Sequence, residues 1–184
     1  MKARDIPNLI SILRIFLSVP VVWMLLVHEF GAALVLFAIA GISDGLDGYL
    51  AKHFGWKSHL GGLLDPLADK VLLVSSYLSL ALLGIIPIWL VLIVILRDLV
   101  IVTGALIYNF RVHELEAEPS LISKFNTFAQ IVLVLTSVLD RSLLPLPDLI
   151  IDGMIWTVLF STIASGVNYV WVWSHRAVDH GVHD

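Results

Sequence analysis

Four aspartates fall in two close pairs within one short stretch, Ser43 to Lys70. Asp44 and Asp47 are three residues apart, and Asp65 and Asp69 are four apart. In a helix both spacings put a pair on one face. Four carboxylates gathered together repel and raise one another's pKa values. At a membrane boundary the penalty grows. A bound divalent cation removes it. Oxygen ligands without His or Cys favour Mg²⁺ or Mn²⁺, with Ca²⁺ the third hard candidate, over zinc. Magnesium commonly completes its shell with phosphate oxygens, so a phosphate-bearing ligand is expected.

Small residues accompany the carboxylates at helical spacing. Gly48 follows Asp44 by four, Ala51 follows Asp47 by four, and Gly61 precedes Asp65 by four. Without bulky side chains on those faces, a flat or charged ligand approaches the backbone closely. Lys52 stands where it can meet a phosphate oxygen. A lone aspartate at a helix end is ordinarily a cap, and a lone glycine in a membrane helix ordinarily a packing position. The combination across one hairpin is what points to a site. A carboxylate-site cation transporter is the alternative of another class, but it leaves the small residues unexplained.

The elements that must position these residues are apolar helices. Six hydrophobic segments are expected: Ile6 to Val27, Phe30 to His53, Leu63 to Leu83, Pro87 to Phe110, Leu121 to Leu139 and Leu149 to Ser174. Pro7 suits a first helical turn. The part of the first segment through Arg14 is polar enough to lie along the interface before the chain enters the bilayer. Gly84 and Pro87 predict a turn inside a long uncharged run. His113 to Pro119 reads as an acidic loop, and the tail from His175 as polar and frayed. The first aspartate pair then lies near the end of the second helix, and the second pair near the start of the third. The short connection returns both to one depth.

Composition agrees with this layout. The chain has 184 residues, 59% hydrophobic and 14% charged, against about 45–50% and about 25% in soluble domains. One span takes roughly 20 residues, so six fill the chain. The expected architecture is all-α and polytopic, six transmembrane helices with a short N-terminal interfacial segment, in a single domain over 1–184. Asp5, Asn8 and Arg14 interrupt the first segment, which reads as retained, not as a cleaved leader. Lys2, Arg4, Arg14, Lys52, Lys57, Lys70, Arg111, Lys124 and Arg176 fall on one side and Arg141 on the other. That bias puts the N-terminus and the aspartates in the cytoplasm. The net charge of -4 argues against nucleic acid as a partner. The absence of cysteine excludes disulfides and thiolate chemistry.

The pattern Asp44-x-x-Asp47-Gly48-x-x-Ala51-Lys52, eight residues, then Gly61-x-x-x-Asp65-x-x-x-Asp69 resembles the motif of the CDP-alcohol phosphatidyltransferases. Every spacing matches. Lys52 stands where the family usually has arginine, which keeps the charge and loses the bidentate fork. The resemblance implies that Asp44, Asp47 and Asp65 are metal ligands, and that Asp69 touches metal and serves as the general base. It implies that Gly48, Ala51, Lys52 and Gly61 receive the CDP moiety of CDP-diacylglycerol. It also implies membrane-embedded homodimers, with a bacterial inner membrane the expected location.

Arg97 and Asp98 lie about 15 Å into the fourth helix, where charges face a cavity or each other. Arg97 is a candidate for holding an anionic acceptor, and Lys124 for sharing that role. The alternatives are a structural Arg–Asp pair and a plain cytoplasmic-face lysine. Asn8, Ser11 and Arg14 are candidates for the nucleotide end. The segments Ile6 to Arg14, Leu64 to Lys70, Arg97-Asp98 and Pro119 to Thr127 are most similar to the eukaryotic-type cardiolipin synthase branch. The acceptor so implied is phosphatidylglycerol. Glycerol 3-phosphate is the second candidate, as in the related phosphatidylglycerophosphate synthases.

Overall fold

Runs of Leu, Ile, Val and Ala with few interruptions leave the chain no favourable state in a bilayer but helix, because only a helix satisfies its own backbone there. The computed structural model describes the backbone over residues 6–53, 61–112 and 120–181, and side chains over 9–45, 67–103 and 120–171. The expected acidic loop at His113 to Pro119 lies outside the described residues. Six helices follow in order: α1 (Ile6–Leu26), α2 (Phe30–His53), α3 (Gly61–Leu82), α4 (Ile88–Val112), α5 (Leu121–Ser142) and α6 (Asp148–Gly181). No strand occurs among the described residues.

The helix boundaries have local causes. α1 and α3 end in the same motif. His28 and Gly84 take left-handed backbones, with φ of 64° and 69°. Behind them Glu29 N–H donates to Met24 C=O at 2.9 Å, and Ile85 N–H to Leu80 C=O at 2.9 Å. This is the Schellman arrangement, in which glycine is the favoured occupant and histidine carries a steric cost. Ser120 caps α5: its Oγ accepts from Ser123 N–H at 3.2 Å. The α5–α6 connection is pinned by Asp140 Oδ1, which accepts from Leu146 N–H at 2.8 Å.

Two outcomes differ from expectation. α1 runs unbroken from Ile6 to Leu26, so no break in the helix at Arg14 sets an interfacial part apart from a spanning part. Arg14 is buried within the protein, which removes the reason for that stretch to stay at the surface. α6 continues to Gly181, beyond the expected end at Ser174. No proline intervenes, Arg and Ala sustain a helix, and Gly181 marks the stop.

The chain forms two compact units, Met1–Ile88 with Val134–Pro147, and Trp89–Leu133 with Asp148–Asp184. In the first, α1 packs on both α2 and α3. Val21 and Leu25 of α1, Phe37 and Ala40 of α2, and Leu72 and Tyr77 of α3 are buried there. In the second, Leu90 and Val94 of α4, Ala129 and Leu133 of α5, and Ile155 and Val158 of α6 are buried. Large apolar side chains such as Phe16, Trp23, Leu92, Leu96, Phe160 and Val167 point outward, the inverse of a water-facing surface. Among the described residues, Leu9–Leu26, Leu121–Ser142 and Asp148–Trp171 are long and apolar enough to cross a membrane. The apolar part of α2, Phe30–Gly45, is shorter.

Candidate active site

The C-terminal half of α2 carries Asp44, Asp47, Gly48, Ala51 and Lys52, and the helix ends at His53. α3 opens on Gly61 and carries Asp65 in its second turn and Asp69 in its third. Both aspartate pairs therefore stand in helical register, each on one face of its own helix. Both helices lean on α1, which holds the two motif segments in one unit.

Asp44 and Asp69 are the motif aspartates whose side chains are described, and both are half-buried. Ala68 and Leu72 of α3 are buried, so Asp69 sits at the edge of the core face, where it makes a polar interaction. Asp44 Oδ1 forms an ion pair with Arg14 Nη1 of α1. The arginine is 1% exposed and the carboxylate side chain 46%. One side of Asp44 is thus neutralised from within the protein and the other stays open. Ser11, one turn before Arg14, is fully buried. The side chains of Asp47, Asp65, Ala51, Lys52 and Asn8 lie outside the described ones, as do those around Gly48 and Gly61. Among the described residues no three acidic, His or Cys side chains cluster, a set from which Asp47 and Asp65 are absent. The donor chemistry of the motif, oxygen throughout, fits Mg²⁺ or Mn²⁺. Of these oxygen donors, Asp44 already faces one cationic side chain, Arg14.

A second polar centre occupies the other unit. Arg97 Nη1 donates to Asp98 Oδ1 at 2.8 Å. Its Nη2 donates to Ser123 Oγ of α5 at 2.7 Å and to Ser165 Oγ of α6. The guanidinium carbon also lies 5.9 Å from the centre of the Tyr169 ring, within cation–π range. Arg97 therefore pairs with Asp98 and also borders a cavity. That cavity of about 460 Å³ runs between α4 and α6, bordered by Ile93, Leu96, Arg97, Thr162, Gly166 and Val170. A β-carbon on Gly166 would stand 3.7 Å from Arg97 Cγ, so the helix passes close to the arginine stem. Lys124 is exposed on the first turn of α5, one position past the serine that holds Arg97.

One turn further along, Asn126 Oδ1 accepts from Ser161 Oγ at 2.8 Å and Thr162 Oγ1 at 2.9 Å. Asn126 is fully buried. Ser123, Ser165, Asn126, Ser161 and Thr162 escaped the sequence reading. The signal was present: Ser161, Thr162 and Ser165 lie close together on the middle of α6, and Ser123 and Asn126 share a face of α5.

Residues 4–170 match the family described as CDP-alcohol phosphatidyltransferase. A cardiolipin synthase (CMP-forming) of Rattus norvegicus is 35% identical over 181 residues, covering 89% of this chain and 60% of the rat protein. A CDP-diacylglycerol–glycerol-3-phosphate 3-phosphatidyltransferase of Bacillus subtilis is 29% identical over 184 residues, covering 90% of this chain and 93% of that protein. A probable phosphatidylglycerophosphate synthase of Mycobacterium tuberculosis is 32% identical over 177 residues, covering 92% of this chain and 81% of that protein. The chain spans 60% of the length of the rat and human cardiolipin synthases it matches.

Proposed function

We propose that this chain, which belongs to the CDP-alcohol phosphatidyltransferase family, moves a phosphatidyl group from CDP-diacylglycerol to phosphatidylglycerol, releasing CMP and forming cardiolipin. The observation that carries the reading is the complete aspartate motif, set in register on two helices that share α1 as their support. The family match favours phosphatidyl transfer over a carboxylate-site cation transporter. The acceptor is argued from the likeness to cardiolipin synthases (CMP-forming) of rat and human, at 35% and 33% identity. Glycerol 3-phosphate is the second reading, favoured by the Bacillus subtilis relative, of which the chain covers 93%.

In this reading Asp44, Asp47, Asp65 and Asp69 hold Mg²⁺ or Mn²⁺, which when bound offsets the pyrophosphate charge and eases departure of CMP. The acceptor hydroxyl attacks the β-phosphorus of CDP-diacylglycerol. A new P–O bond forms, the bond to CMP breaks, and the hydroxyl proton passes to the Asp69 carboxylate. Gly48, Ala51 and Gly61 leave room for the cytidine diphosphate, and Lys52 meets a phosphate oxygen. Asn8, Ser11 and Arg14 belong to the nucleotide end. Arg97 and Lys124 bind the anionic group of the acceptor. The fold acts as one membrane domain over 1–184 with six spans, working as a homodimer in a bacterial inner membrane, its N-terminus and aspartates cytoplasmic.

The test supplies purified protein with CDP-diacylglycerol, Mn²⁺ and each acceptor separately, and identifies the lipid by mass. Cardiolipin from phosphatidylglycerol is the expected product. Phosphatidylglycerophosphate formed only from glycerol 3-phosphate would replace this acceptor by the second.

A further inference from the structure

We infer that Arg14 is the built-in counter-ion of Asp44, and that its charge loosens the grip of the site on a divalent ion. The inference rests on the reading of Asp44 as a metal ligand. Arg14 is the one charged residue in α1. It is 1% exposed, in a helix whose other buried members among the described residues are Ser11, Ser18, Val21 and Leu25. A guanidinium stays protonated under all relevant conditions. Burying it is costly unless it is paired, and one partner it takes is the first carboxylate of the motif.

The geometry makes this more than a structural ion pair. Arg14 approaches from the protein interior, whereas the Asp44 side chain remains 46% exposed. The carboxylate therefore keeps a free side for a second cation while its inner side is held. Two opposite consequences follow from one fixed charge. Without metal, Arg14 offsets part of the repulsion among the carboxylates. With metal, it stands as a like charge within contact distance of a ligand, and weakens binding. The pair holds Asp44 ready, and keeps the ion exchangeable.

The experiment measures Mn²⁺ binding without substrate by electron paramagnetic resonance, in wild type, R14Q and R14K. R14Q is expected to bind Mn²⁺ about tenfold tighter, since a like charge a few ångströms away costs on the order of a factor of ten or more in a partly hydrated site. R14K, which retains the charge, is expected within about twofold of wild type. Equal or weaker Mn²⁺ binding by R14Q would overturn the inference and leave the metal reading intact. Absence of saturable Mn²⁺ binding by wild type would remove the metal reading and this inference with it. A second measurement needs no variant to fold: the Arg14 Nε–H resonance of wild-type enzyme moves as Mg²⁺ saturates the site, and an unmoved resonance would likewise overturn the proposal.

Discussion

Among the described residues each compact unit buries one arginine, and the two arginines are held differently. In the unit built on α1, Arg14 meets a carboxylate on another helix, and that carboxylate is half open. In the unit of α4, the first part of α5 and α6, Arg97 meets the adjacent Asp98 and two serines on two further helices. The first arrangement leaves a charged group with unused capacity, as a ligand for another cation requires. The second encloses its cation on three sides with short polar side chains. Apolar helices tolerate a buried charge by either route, because both satisfy the group internally. What distinguishes them is where capacity remains: on the acid in one unit, and along a cavity wall in the other.

The comparison is broken most severely by emptying the first centre. Asp65→Ala, or an excess of chelator with wild type, is expected to lower phosphatidyl transfer by about three orders of magnitude or more, as loss of several kcal/mol of charge stabilisation requires. Radiolabelled CMP release measures it. Unchanged turnover in chelator would show that the aspartates serve some other purpose.

Changing the second centre is expected to have a smaller and more selective effect. Arg97→Lys keeps a charge beside Asp98 and loses the fork that reaches Ser123 and Ser165. The Michaelis constant for the acceptor is expected to rise about tenfold, while that for CDP-diacylglycerol stays within about twofold. The reverse ordering would move Arg97 to the donor.

Asn126→Ala tests whether the polar seam beside Arg97 is glue. Two interhelical hydrogen bonds, at about 0.6 kcal/mol each in a membrane, predict a loss of about 1 kcal/mol. Unfolding in detergent and denaturant reads this directly, and donor affinity should not change. Changes at the helix ends should alter stability alone and leave both centres untouched. His28→Gly relieves a left-handed histidine and is expected to stabilise by about 0.5 kcal/mol, the steric gain less the entropic cost of glycine. Gly84→Ala is expected to lose about 1 kcal/mol for the same reason.

Much of this was legible before any coordinates. α2 spans Phe30–His53 as the apolar run indicates, and the turn expected at Gly84 and Pro87 lies between α3 and α4. Apolar runs and glycine stops are local signals, and membrane helices obey them closely because backbone bonds have no other outlet. The end of α6 is not legible in polarity, because nothing between Ser174 and Gly181 breaks a helix. The aspartate motif was legible as spacing. The pairing of Arg14 with Asp44 was not, since it depends on which faces of α1 and α2 meet. Arg97 was singled out from its depth, yet Ser123 and Ser165 were not named with it. Their separations of 26 and 68 residues carry no local sign of contact.

The central claim is that acids on α2 and α3 perform phosphatidyl transfer, and Asp69 is the one asked to take a proton. The direct measurement compares Asp69→Asn with wild type for CDP-diacylglycerol binding and for CMP release in the presence of acceptor. The account predicts retained binding and a fall in turnover of about a hundredfold to ten-thousandfold, the range for loss of a positioned base. Near-normal turnover in Asp69→Asn would contradict it.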